Sequence, residues 1–252
     1  MDIYDYAKYP AKEDWQEICK EKASAFEKLG FEPPTTQDTL LDLFGYDNGV
    51  ELKYWVREYN NRAFDLTQNY TLLKSYFDAG IPDDEWYISP GKNGASISYF
   101  PHFEERHFAN LYWFGFYMES FFTRAEGLID TVYHLVNVKF NLGVEPKLGF
   151  RKKVLNELET VDKDLFDYLN DLPQNIKFKK MNEYRNNLVH NFRPSQIDSG
   201  IGNPEKQADG SVIRTLSVGN YTTSTEFLNI IHETIDLLVE VTDEIRNKVE
   251  QN

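Results

Sequence analysis

The sequence predicts an all-α protein built as a helical bundle, and three observations predict it. Two long stretches, residues 52–77 and 108–136, carry apolar residues at alternating steps of four and three, the spacing of one helix face. Proline falls between the periodic stretches rather than inside them, at Pro33-Pro34, Pro82 and Pro194, and Gly80 closes the first stretch. Strand character is confined to a possible short strand in 88–101 and to an excursion at 195–221, where Val212 to Val218 reads as a plausible strand.

The elements follow in order. Lys12 to Leu29 places Trp15, Ile18, Cys19, Phe26 and Leu29 at helical spacing and stops at Gly30. After Pro33-Pro34, Gln37 to Phe44 is expected to form a short helix. Leu52, Val56, Tyr59, Ala63, Leu66, Tyr70, Leu73 and Phe77 then form one seam on a helix of about eight turns, closed by Gly80 and Pro82. Phe108, Leu111, Gly115, Met118, Phe122, Ala125, Ile129, Val132 and Val136 repeat the alternation. Tyr112, Trp113, Phe114, Phe116, Tyr117 and Phe121 add apolar surface on the other sides of that helix. A helix apolar on several faces is buried by several neighbours, one of which is expected to be a second subunit.

Phe150–Leu158 and Asp162–Leu172 read as two shorter helices, the second opened by Asp162 and closed before Pro173. A helix from Gln174 to about Asn191 follows. Pro194 disfavours helix at Arg193, which puts His190 in the last turn or just beyond. Thr223-x-x-Glu226 is a capping box opening a final helix through Phe227, Ile231, Thr234, Leu238, Val241 and Ile245. The expected division is an N-terminal helical extension, 1–101, and a helical domain, 102–252, with one continuous domain as the other possibility.

Composition bounds the function. At 252 residues and 15% aromatic, the chain can bury a large core. Its single cysteine, Cys19, rules out an intrachain disulfide and a cysteine metal cage, and fits a reducing compartment. The N-terminus lacks the pattern of a secretory signal, and no apolar run is long enough to span a bilayer, so a cytoplasmic protein without membrane contact is expected. A net charge of −14 opposes indiscriminate coating of nucleic acid. The charge is uneven, however. Between Gln174 and Arg193, Lys177, Lys179, Lys180, Arg185 and Arg193 face the lone acid Glu183, a local patch suited to phosphate.

The same window holds the segment that suggests chemistry, Tyr184-Arg185-Asn186-Asn187-Leu188-Val189-His190-Asn191-Phe192. Arginine offers a planar fork of donors matched to phosphate oxygens, and histidine exchanges a proton near neutral pH. On a helix Asn186 and His190 share a face at i and i+4, while Arg185 lies about 140° round from His190. Other candidates are weaker. His102 and His107 stand five apart, not the four of a zinc-binding helix, and Glu104-x-x-His107 has no second copy to complete a di-iron site. Polar residues at a helix start account for that cluster. His134 and His232 sit beside helical seams as structural or surface residues, and Gly91-Lys92-Asn93-Gly94 reads as a turn. No metal or other cofactor is expected.

An all-α chain with Arg185-Asn186-x-x-x-His190 near the end of its penultimate helix resembles the HEPN superfamily, whose members carry an R-x(4–6)-H motif, often with Asn, Asp or His after the arginine. The resemblance covers about His102 to Asn252. It implies a metal-independent endoribonuclease acting as toxin, defence effector or RNA-processing factor. It also implies a homodimer that joins two motifs. By the resemblance, His190 is the acid–base residue, Arg185 the phosphate clamp and Asn186 an orienting or phosphate-contacting amide; Lys177, Lys179, Lys180 and Arg193, the basic residues of the same window, are the candidate RNA-binding cations. The implied partners are RNA, a second copy, and an antitoxin or regulatory protein. Some toxin members carry, two residues after the histidine, a tyrosine that receives a nucleotide; Phe192 has no hydroxyl to receive one. Two rival readings are a non-catalytic module that binds nucleotide, RNA or protein, and a structural dimer in which Arg185 caps or pairs within the bundle.

Overall fold

The structure is a computed structural model that describes residues 2–33, 49–197 and 200–250. The helix expected over Gln37 to Phe44 lies outside the described residues. Eight α-helices carry the described fold: α1 Lys12–Cys19, α2 Ala23–Lys28, α3 Gly49–Asp78, α4 Glu105–Lys139, α5 Phe150–Leu158, α6 Lys163–Asp171, α7 Ile176–His190 and α8 Ser224–Glu250. The chain is all-α, its strands confined to two-residue pairs.

α3 and α4 form the spine. Every residue of the predicted α3 seam from Leu52 to Leu73 is buried, and Phe77 packs at its edge. In α4 the seam holds from Met118 to Val136 but shifts in the first turns, where Ala109, Asn110 and Phe114 are buried and Phe108 is 41% exposed. The reason is local: Phe108 packs against Phe100 and Phe103, in the segment just before α4. α8 lies against this pair, and Phe227, Ile231, Thr234, Leu238, Val241 and Ile245 are all buried. Removing each such aliphatic or aromatic side chain from water stabilises the fold by roughly 1.5–3 kcal/mol.

The caps match their sequence signals. Thr223 and Glu226 exchange side chain-to-backbone hydrogen bonds of 3.2 Å each. Asp162 accepts from the Leu165 N–H, and Asn175 caps α7 by accepting from the Lys177 and Phe178 N–H groups. At the start of α4, the Glu104 N–H donates to Nδ1 of His107 at 3.0 Å, which gives that histidine a capping role.

Two expectations need correction. The helix expected over Lys12–Leu29 is broken by a 3₁₀ turn at Lys20–Lys22. The break lets α1 lie on α3, where Cys19 bonds Thr71, while α2 crosses to α8, where Lys22 pairs with Asp236. One straight helix could not follow both. The strand expected over Val212–Val218 is interrupted as well. β3 (Gly200–Ile201) pairs with β6 (Leu216–Ser217), and β4 (Glu205–Lys206) with β5 (Val212–Ile213), in registers offset by one residue. Three residues, Gly202 to Pro204, oppose two, Arg214 and Thr215, so the ribbon bulges there. In the 88–101 region, β1 (Tyr87–Ile88) and β2 (Ser98–Tyr99) form a hairpin. A Cβ at Gly91 would come within 2.6 Å of the Ile97 backbone, so that turn needs glycine.

One buried carboxylate ties distant parts together. Asp83 is fully buried and accepts from the Tyr221 hydroxyl (2.7 Å), the Ser224 N–H (2.8 Å) and the Ser224 hydroxyl (2.6 Å). Burial pushes its pKa up, and those hydrogen bonds hold it partly down. Thr222, between the two donors, gives its N–H to the Pro194 carbonyl at 2.8 Å. The loop after α3 thus anchors the start of α8 and the exit from α7.

Candidate functional site

α7 places the motif. Phe178, Met181 and Leu188 are its buried residues, and Arg185 stands in the same seam, four after Met181 and three before Leu188. A guanidinium in an apolar seam must find partners. Arg185 donates from Nη1 to Oδ1 of Asn186 at 2.9 Å, while its buried Nε–H has no acceptor among the described residues. Asn186 in turn donates from Nδ2 to Oδ1 of Asn182 at 3.4 Å, along the i, i+4 row that ends at His190. Asn186 therefore joins the two sides of the helix, touching Arg185 through one end of its amide and lying on the His190 face.

His190 is the last residue of α7 and is exposed. Extended backbone at Asn191 (φ −127°, ψ −169°) ends the helix, as Pro194 requires a few residues on. Arg185, Asn186 and His190 thus lie within the final two turns, a half-buried arginine leading to an open imidazole. The arrangement can hold an anion on the guanidinium and exchange a proton at the helix end.

The predicted cations divide. Lys177 pairs with Glu240 and Lys180 with Glu233, acids seven apart on antiparallel α8, and Arg193 pairs with Glu119 of α4 at 3.1 Å. Lys179 is exposed on the outer face of α7. The local positive charge is therefore largely matched by acids from α4 and α8, whose approach has no signal in the sequence around α7. Arg193 also lines a concavity of about 620 Å³ with Phe116, Glu119, Ser120, Thr123 and Arg124 of α4. Those α4 residues were not among the sequence candidates for a site, because helical periodicity marks Glu119, Ser120, Thr123 and Arg124 only as the polar side of a packed helix and Phe116 only as added apolar surface.

The remaining histidines have structural surroundings. His134 is stacked between Trp55 and Phe150, with ring centroids 4.1 and 4.4 Å away. His232 shares a 3.0 Å hydrogen bond with the Tyr70 hydroxyl. Burial lowers the pKa of both. No helix among the described residues is long and apolar enough to cross a membrane.

Comparison with curated proteins and with solved structures returned no match. A family model does match: the HEPN_Cthe2314 family, described as HEPN, fits residues 55–246. The match begins within α3, a helix that the sequence reading left without a family assignment, and it contains all of α4 to α7 and most of α8. It spans three quarters of the chain and includes Arg185, Asn186 and His190, so the chain belongs to the HEPN superfamily.

Proposed function

We propose that this protein is a metal-independent endoribonuclease with Arg185, Asn186 and His190 as its working residues. The observation that carries the reading is their placement: three groups on the last two turns of α7, with Arg185 tied to Asn186 and His190 open at the helix end. RNA brings its own nucleophile, the 2′-hydroxyl. Cleavage then needs a proton carrier and a cation for the charge that develops on phosphorus. His190 supplies the first and Arg185 the second, while Asn186 orients the guanidinium. DNA lacks the hydroxyl and survives.

A homodimer belongs to this reading. Phe108, Tyr112 and Phe116 stand one turn apart on α4 at 41, 49 and 54% exposed, an aromatic row whose lower end shares a concavity with Arg193. A second copy covering the upper part of that row, Phe108 and Tyr112, and leaving Phe116 open would bring two α7 ends near one another, so that each motif serves one composite site. The cellular role falls to toxin, defence effector or RNA processing, under an antitoxin or regulatory protein.

The test is direct. Wild type and His190→Ala are incubated with mixed RNA in EDTA, and the products are mapped. The reading expects 2′,3′-cyclic phosphate and 5′-hydroxyl ends from wild type and a loss of about 10²–10⁴-fold in the variant. Intact RNA in both, or equal cutting, rejects it. One observation favours a second reading, a non-catalytic binding module: Lys177, Lys180 and Arg193 are already paired with acids. That module would bind RNA, nucleotide or protein without cutting.

A further inference from the structure

Below Phe116 the outer row of α4 turns polar, with Ser120, Thr123 and Arg124 on the same side as the exit from α7. Arg193, three residues beyond His190, closes this concavity opposite them. Arg124 donates from Nη1 to Asp65 at 3.0 Å and from Nε to the Ser120 hydroxyl at 3.3 Å. Both arginines keep solvent access, at 44 and 49% of their side chains, and so do the acids that hold them. Exposed ion pairs of this kind are worth little in water and are readily exchanged for a better anion. A phosphodiester is that better anion, because it accepts two donors of one guanidinium at once.

The geometry points to a nucleotide subsite here: Arg124 and Arg193 grip one backbone phosphate of a single-stranded RNA, and Phe116 stacks the adjoining base. The Ser120 hydroxyl, which accepts from Arg124, still has its own proton to donate to a phosphate or sugar oxygen. The strand must be single, since a base reaches the exposed Phe116 ring only when splayed out of a duplex. The subsite rests on the ribonuclease reading and extends it, by holding the strand next to the phosphate to be cut. Glu119 is its built-in competitor: it occupies Arg193 and repels the incoming phosphate.

That competition gives a test whose decisive arm is a gain, which misfolding cannot imitate. A fluorescent 2′-O-methyl RNA dodecamer, which cannot be cleaved, is titrated against the full chain by anisotropy, so that binding is read apart from catalysis. Glu119→Gln is expected to tighten binding about threefold. Arg124→Ala and Arg193→Ala are each expected to weaken it about tenfold, with the salt slope smaller by about one. Phe116→Ala is expected to weaken it several-fold with the slope unchanged, and Arg57→Ala, a surface charge on α3, to leave it alone. Duplex RNA of the same sequence and inorganic phosphate should compete poorly. Equal affinity in wild type, Glu119→Gln and Arg124→Ala overturns the subsite while leaving His190-dependent cleavage to its own assay. So does effective competition by inorganic phosphate alone.

Discussion

The guanidinium of Arg185 is held by the next residue in the chain, its Nη1 donating to Oδ1 of Asn186 at 2.9 Å. Adjacent side chains on a helix point about 100° apart, so the long arginine must turn along the surface to meet the amide. The contact fixes where a bound phosphate would sit relative to His190. On the ribonuclease reading, Asn186→Ala is expected to lower kcat about tenfold with little change in KM. Asn186→Asp should lower it further, because a carboxylate there competes with phosphate for the same guanidinium. Arg185→Lys should fail nearly as badly as Arg185→Ala, since an ammonium cannot make the two-pronged contact. Single-turnover cleavage of a short RNA measures all four.

The α4 row predicts the oligomer. Tyr112→Glu places a charge on the upper part of the exposed aromatic strip and is expected to convert a dimer into a monomer with its helix content intact. Light scattering at micromolar concentration reads the first and circular dichroism the second. A monomeric wild type would remove the composite site from the proposal.

Asp83 predicts a large stability effect far from α7. Asp83→Ala strands the Tyr221 hydroxyl and the Ser224 N–H in a buried setting, and is expected to cost about 3 kcal/mol. Tyr221→Phe removes one of the three bonds and should cost about 1.5 kcal/mol. Urea unfolding gives both values. Hydrogen exchange should locate the added opening at residues 190–197 and 221–224.

His134 predicts a pH dependence. Burial between Trp55 and Phe150 lowers its pKa from the ordinary 6.5, so the folded protein prefers the neutral ring. Below pH 6.5 the unfolded chain takes up a proton that the folded chain refuses, and stability falls until the folded pKa is passed. His134→Phe keeps the stack and removes the titration. Its melting temperature should decline less than that of wild type between pH 7 and pH 5. His232, lowered by burial too, leaves the residual slope.

These features differ in how far the sequence reveals them. The α8 seam and the Thr223–Glu226 box were legible, because both depend on spacing within one helix. The motif itself was legible for the same reason, lying within nine consecutive residues. The partners of Lys177, Lys180 and Arg193 were not, since Glu240, Glu233 and Glu119 reach them only through packing. Asp83 read as one polar residue among many, and only the return of residues 221–224 makes it a buried anchor. The bend at Lys20–Lys22 escaped because its cause is the choice of two separate neighbours, α3 and α8.

The ion pairs that link α7 to α8 have a kinetic consequence. A chain of net charge −14 whose motif helix has two of its three lysines matched by acids projects little attractive field toward a polyanion. On the ribonuclease reading, an approaching RNA is drawn in only by short-range contact, after diffusion has delivered it against mild repulsion. Association should therefore proceed at the unsteered rate, about 10⁵–10⁶ M⁻¹s⁻¹, and gain little from dilution of salt, while dissociation grows sharply faster as salt rises. Such a molecule discriminates by how long a strand stays, not by how often one arrives.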